Sequence, residues 1–218
     1  MKMDPNTTLM QKIQAQWGAA IAGVCKTSSV PPAFIAALIA NESEGNADAK
    51  RFEPLVAGNL AAVVCGKAAA FDVPGSRRAL GAQDLLAYLK SAGGANNTDI
   101  IANAFIGLGD LATSWGLTQI MGFHALMWEV SLSLIWGAAN APGQLAFTLN
   151  MLAFCAQQNQ IDLTMPDQVS ASEFFTWWNC GRINGKTYDP MYVPNGLDRM
   201  RIYSQLGAAS SAPTGIIQ

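Results

Sequence analysis

Apolar residues recur at helical spacing along nearly the whole chain, and no stretch alternates for long enough to predict an extended strand. A first helix is predicted over about Thr8 to Val24. Pro31-Pro32 opens a second, with Ser28 or Ser29 placed to cap it and proline tolerated in the first turn. That helix runs through AFIAALIANESE and stops at Gly45-Asn46. Asp48 to about Pro74 reads as irregular, with one short helix at Leu60 to Ala70. Gly81 to Ser91 is amphipathic, Ala92 to Asn97 forms a surface loop, and Asn97 or Thr98 caps a helix from Asp99 to about Leu111. Further helices are expected at His124–Trp136, Gly143–Gln158, Ser172–Asn179 and Asn195–Leu206. The pattern predicts a mainly α fold with little or no β-sheet: one domain over residues 1–206, then a mobile tail over 207–218.

Composition narrows the function. Lys plus Arg number 13 and Asp plus Glu 15, and charged residues make up only 13% of the 218. A soluble domain carries about 25%. No basic block exists, which argues against a nucleic-acid partner. One histidine, His124, and no CxxC pair predict neither a metal site nor a cofactor. Val130 to Ile161 carries no formal charge, but Asn140-Ala141-Pro142-Gly143 interrupts it, so it reads as two buried helices and not as a membrane span. The N-terminus, MKMDPNTTLMQK, lacks the apolar region of a signal peptide. The four cysteines are expected as buried thiols, with a Cys155–Cys180 bridge the alternative. Six Trp and nine Phe in so weakly charged a chain suit a neutral, flat-faced ligand such as a sugar, or an ordinary aromatic core.

One acidic residue stands out. On a helical wheel with Phe34 at zero, Leu38, Ile35 and Ile39 fall at about 40°, 100° and 140°, and Glu42 at about 80°, in mid-stripe. Glu44 falls at about 280°, on the wet side. A carboxylate on an apolar face is driven toward its protonated form, which is what protonation of a leaving oxygen requires. The wheel equally allows Glu42 to finish the helix or to pair with an arginine.

Four segments in order resemble a known pattern. IAALIANESEGN is similar to the Glu-Ser helix end of the lysozyme-like superfamily and its lytic transglycosylases. Ser114-Trp115-Gly116-Leu117-Thr118-Gln119-Ile120-Met121-Gly122-Phe123 resembles the superfamily's Gly-Leu-x-Gln-Ile-Met signature, and as SWGxxQIMGF it is closer to the bacterial and phage N-acetylmuramidases. WWNCGRINGKTYDPMY is similar to a Tyr-Asn-Gly segment followed by a tyrosine. Arg51-Phe52-Glu53-Pro54 resembles the muramidases' Phe-Glu segment. The likeness spans about Pro31 to Tyr203.

The resemblance implies a lysozyme-like helical domain with an active-site cleft, acting as a monomer on the glycan strands of peptidoglycan. It would cleave the β-1,4 bond between N-acetylmuramic acid and N-acetylglucosamine. Glu42 matches the catalytic acid and Glu53 the second acidic position. Ser114, Trp115, Gly116, Gln119 and Met121 would line the cleft, and Trp178, Asn179 and Tyr188 would close its other wall. Gln119 offers a donor and an acceptor to an amino sugar. Gly116 would let backbone approach a ligand, or is simply a turn glycine. Met121 suits core or contact. Trp177 and Trp178 point about 100° apart, so only one reaches a cleft. His124 reads as a helix-start residue. Without a signal or anchor, such an enzyme would be made in the cytoplasm and reach the wall by phage lysis, on a virion or through a secretion system.

The sequence departs from the family at three points. Trp178 stands where the transglycosylase pattern has a tyrosine, removing a phenol near the acid. Cys180 interrupts the Asn-Gly. Pro54-Leu55 replaces the Arg-His common after Glu53, which leaves Glu44, Asp48, Asp72 and above all Asp110 as other candidate bases. Eleven residues of straight helix span about 16 Å, so the break at Gly45-Asn46 must turn the chain if Glu53 is to serve. The expected Glu42–Glu53 carboxyl separation is the inverting one, about 6.5–9.5 Å. A lytic transglycosylase and a catalytically silent wall-binding or virion module remain alternatives.

Overall fold

The computed structural model describes residues 4–92 and 100–210. It is mainly α, 63% helical and 7% strand. The chain divides into two compact units, one of residues 1–45 and 145–218, the other of residues 46–144. Among the described residues, no helix is long and apolar enough to cross a membrane.

The first unit is built around α2 (Pro32–Glu42). Every residue from Ala33 to Ala40 is buried, as expected of a helix that is apolar all round. The sequence wheel assumed a single apolar stripe. The structure corrects this: α2 is covered on all sides, so its wheel alone does not separate an inward glutamate from an outward one. Ser28 does not cap it either. Pro31 holds the N-cap position without a side-chain bond, and the Ser28 hydroxyl accepts from the Val30 amide instead.

Three long helices pack around α2. α1 (Pro5–Cys25) starts earlier than its periodicity suggested, because Asp4 accepts from the Thr7 amide and Pro5 occupies the first turn. It buries Met10, Ile13, Trp17, Ile21 and Cys25, one residue per turn. α8 (Gln168–Cys180) is capped by Asp167 and ended by Gly181 in the left-handed region. Its Phe174 and Phe175 rings flank Phe34 at 6.1 and 4.5 Å. α9 (Tyr192–Ser210) crosses α2 and α8, with Gly196 so close to Phe175 that an added Cβ would lie 2.7 Å from the ring. α7 (Ala141–Asn159) enters this unit from Leu145.

The second unit mixes short helices with two small sheets. α3 (Pro54–Val64) lies six residues upstream of the predicted Leu60 start, since Pro54 opens it and Gly66, at φ +69°, follows its end. β1 (Lys50–Phe52), β4 (Thr113–Trp115) and β5 (Ile120–Met121) form an antiparallel sheet in the order β1-β4-β5. Arg51 pairs with Ser114, and Trp115 with Ile120. β2 (Ala70–Asp72) and β3 (Ala79–Gly81) form a hairpin.

With α4 (Ala82–Ala92), α5 (Ile100–Leu111) and α6 (Gly122–Met127), these elements enclose a core that includes Leu60, Phe71, Leu85, Leu111 and Phe123. The helix predicted to reach Trp136 ends at Met127. Glu129 takes a φ of +55°, and the Val130 amide turns back to the Ala125 carbonyl. A 3-10 turn capped by Ser131 follows at Leu132–Ile135. The loop predicted over residues 92–97 lies almost wholly, and its cap at Asn97 or Thr98 entirely, outside the described residues, as does the tail from 211. Residues 207–210 continue α9. All four cysteines are free thiols, so Cys155 and Cys180 are not bridged, and Cys65 is exposed and Cys180 half-buried where buried thiols were expected.

Candidate active site

Glu42 is the last residue of α2, and the turn after it is held from several directions. The Ser43 amide bonds to the Ile39 carbonyl at 3.0 Å. Glu44 and Gly45 then take φ values of +52° and +85°, which no helix can continue. From α1, Trp17 Nε1 donates to the Gly45 carbonyl at 2.9 Å and Lys12 Nζ to the Glu44 carbonyl at 3.0 Å. Glu42 is half-buried and Glu44 exposed.

A phenol faces the Glu42 carboxylate. Tyr192, the first residue of α9 and only 8% exposed, donates its hydroxyl to Glu42 Oε1. Its ring stands edge-on to Phe175 at 6.2 Å. Burial, then the charge of Glu42 and the hydrogen bond to it, push the Tyr192 pKa well above the ordinary phenol value. Tyr192 therefore stays protonated and remains a donor at any working pH. Asn41, beside Glu42, spans to the same residue: its Nδ2 donates to the Tyr192 carbonyl at 2.9 Å, and its Oδ1 accepts from Arg199 at 2.6 Å.

The sequence reading missed Tyr192 and noted only that Trp178 removes a phenol. The phenol comes instead from the end of the same WWNCGRINGKTYDPMY segment. The signal was there: Pro190 followed by an apolar-periodic run is a helix start, and Tyr192 is that helix's first residue. Of the residues expected near it, Trp178 and Asn179 are half-buried and Trp177 is buried. Tyr188 is 89% exposed, tied through its amide to Asn179 Oδ1 at 3.0 Å.

In the second unit the SWGLTQIM segment is two short strands joined by a tight turn. Gly116 is at φ +75° and Gln119 at +52°. Ser114 is buried, and its hydroxyl donates to Gln119 Oε1 at 2.8 Å, while Gln119 Nε2 donates to the Gly116 carbonyl at 3.0 Å. One donor and one acceptor of the Gln119 amide are thus bound to the turn itself. The space beside Gly116 is filled by the chain's own Gln144 Oε1 and the Ile135 carbonyl. Gln144, fully buried, also accepts from the Leu117 amide at 2.8 Å and donates to Gly137 at 2.7 Å. Trp115 is half-buried, donates to the Asp110 carbonyl and meets Trp136 edge-on at 5.9 Å. Met121 packs on the unit's apolar core.

Glu53, on the N-cap of α3, accepts from Arg51 Nε at 2.6 Å, an ion pair whose side chains are 33% and 67% exposed. Asp110 carries a pKa raised by burial and partly restored by Lys50. Burial lowers His124 to about 4 against a weaker opposing bond to the Pro74 carbonyl, so it is neutral at pH 7. A groove of about 370 Å³ in this unit, lined by Arg78, Asp84, Tyr88, Ser91, Leu126 and Glu129 among others, includes none of the predicted site residues. Glu42 belongs to the first unit and Glu53 to the second. The chain matches no protein-family model, no curated protein and no solved structure.

Proposed function

We propose that this protein is a peptidoglycan hydrolase of the lysozyme-like type, with Glu42 as the general acid that protonates the glycosidic oxygen between N-acetylmuramic acid and N-acetylglucosamine. The observation that carries the reading is the Tyr192–Glu42 pair, an obligate phenol donor aimed at a half-buried carboxylate at the end of an apolar helix. A structural origin explains this glutamate poorly. The C-terminal end of a helix carries the negative pole of its dipole and favours cations by about 0.3–1 kcal/mol. A carboxylate there, partly removed from water, costs stability. The fold retains it and supplies a partner from a helix 150 residues away. The order of the four motifs supports the same assignment, as does the glycan-like chemistry of an aromatic-rich, weakly charged chain.

In this reading glycan strands are the substrate. Wall sacculi digested with the purified protein and resolved by mass spectrometry test it: reducing muramic ends are expected. Anhydromuramic ends would identify a transglycosylase, in which the muramic 6-hydroxyl attacks. Glu42→Gln should abolish turbidity clearing while glycan binding persists. Clearing at the wild-type rate by that variant would refute the assignment, and absence of cleavage by the wild type would leave a wall-binding module.

A further inference from the structure

The hydrogen bonds that reach Glu42 do not end at Tyr192. Arg199 lies seven residues after Tyr192 on α9, two turns on and on the same face. Its guanidinium is half-buried and makes a fork: Nη1 donates to Asn41 Oδ1 at 2.6 Å and Nε to Asn6 Oδ1 at 3.1 Å. Asn6 in turn donates to Asp198 Oδ2 at 3.0 Å, and Asp198 accepts from Arg201 at 2.7 Å. Asn41 is thus held by its oxygen from one side while its Nδ2 holds the Tyr192 carbonyl on the other.

We propose that Arg199 is a positioning residue for the Glu42 site: acting through Asn41, it fixes the first residue of α9 so that the Tyr192 phenol keeps its aim at the Glu42 carboxylate. The inference rests on the reading of Glu42 as the acid. In this proposal Arg199 acts on geometry, through its bonds to Asn41 and Asn6. Three helices are tied by one planar group, with Asn6 on α1, Asn41 on α2 and Arg199 on α9. A lysine cannot reproduce that, because its ammonium is a point donor on a flexible stem and lacks a fixed fork. The charged groups around the pair are Asp198, Arg199 and Arg201 of α9, Glu44 beyond α2, and Lys12 of α1 bound to the Glu44 carbonyl. Replacing Arg199 by Lys keeps this charge set and removes only the fork.

The test is a titration of the Glu42 carboxyl by carbon-detected NMR on the full chain, with the Glu42→Gln spectrum to assign it, run for Arg199→Lys and for Asn41→Ala. Both variants loosen the donor to the ionised carboxylate. The Glu42 midpoint should rise by about half a pH unit, the worth of weakening one hydrogen bond. On glycan strands kcat should fall several-fold with KM unchanged, and the alkaline limb of the pH profile should move up with the midpoint. In a Tyr192→Phe background, Arg199→Lys should add no further shift, because the phenol through which it acts is gone. A midpoint unchanged in folded Arg199→Lys and Asn41→Ala overturns the proposal. So does an equal shift with and without the phenol, which would make the effect independent of Tyr192. If Arg199→Lys does not fold, Asn41→Ala with and without the phenol decides alone. The titration needs no activity, so a Glu42→Gln variant that still cleaves glycan sinks the enzymatic reading, while the midpoints still judge the role of Arg199.

Discussion

Removing a single oxygen, in Tyr192→Phe, probes the candidate site most directly. The ring keeps its place edge-on to Phe175, so packing is conserved and the loss is the donor to Glu42 Oε1. That donor stabilises the ionised carboxylate and does much less for the protonated one, so its removal favours the proton. A hydrogen bond to a charged group contributes about 1.5–3 kcal/mol. Glu42 is half-buried, and water replaces part of the loss, so the lower end applies. At about 1.4 kcal/mol per pH unit, the Glu42 midpoint should rise by about one unit.

The consequence for activity has a definite sign. A general acid works in its protonated form, so the alkaline limb of the cleavage profile should move up by the same unit. Above that limb the protonated fraction rises about tenfold, while the plateau rate falls because the carboxyl is less well oriented. Turbidity clearing of sacculi across pH, read beside the NMR midpoint of Glu42, measures both. A limb that stays in place or moves down, in a variant with wild-type thermal stability, would refute the claim that the phenol acts on an acid.

Two further predictions concern the second unit. Gly116→Ala must place a Cβ at φ +75° against Gln144 Oε1 and the Ile135 carbonyl, so it should cost at least about 1–3 kcal/mol of backbone strain and lower the melting temperature by several degrees, as calorimetry would show. His124 is neutral in the fold down to about pH 4 and would ionise near 6.5 when unfolded, so the unfolded state binds the extra proton between those values. Its contribution to stability is complete above about pH 6.5 and is lost as pH falls toward 4. Urea titrations of wild type and His124→Gln across that window should converge at the acid end, and parallel curves would exclude the mechanism.

The long helices were legible because a stripe or core of apolar residues repeats for three or more turns. α1, α2, α4, α7 and α9 all fall where periodicity put them, with ends displaced by a few residues. The displaced ends have local causes. Asp4 and Pro5 extend α1, Pro142 lies in the first turn of α7, and Tyr192 opens α9 before its predicted Asn195. Strands of two or three residues cannot display a period of two, so β1, β4 and β5 escaped notice although they carry Arg51, Ser114, Trp115 and Met121. Glu129 ends α6 by adopting a left-handed conformation that its residue type does not announce. The passage from one unit to the other at Gln144–Leu145 falls within the first turns of α7, just after Pro142-Gly143, so a break that reads in the sequence as a turn between two helices is here the start of one helix that runs on into the other unit.

The site divides in the same way. Glu42 was singled out from its helical pattern, Gln119 and Gly116 from a resemblance to a family signature, and the latter two prove to be bound up in making a turn. Gln119 holds Ser114 and the Gly116 carbonyl, and Gly116 gives room to Gln144. A motif rich in glycine and amide can thus persist for the sake of a backbone shape, and a sugar contact need not be the reason for each of its members. Glu42 is different, since it receives a phenol hydroxyl from α9. Glu44, two residues on, shows what an acidic residue at this helix end does when the fold makes no demand on it: its side chain is exposed. At Glu42 a long-range partner answers it: Tyr192 donates directly, and Asn41 and Arg199 stand behind Tyr192. Such pairings leave no trace in local periodicity. The carboxylate could be found in the sequence, whereas the phenol that donates to it became visible only once α2 and α9 were packed together.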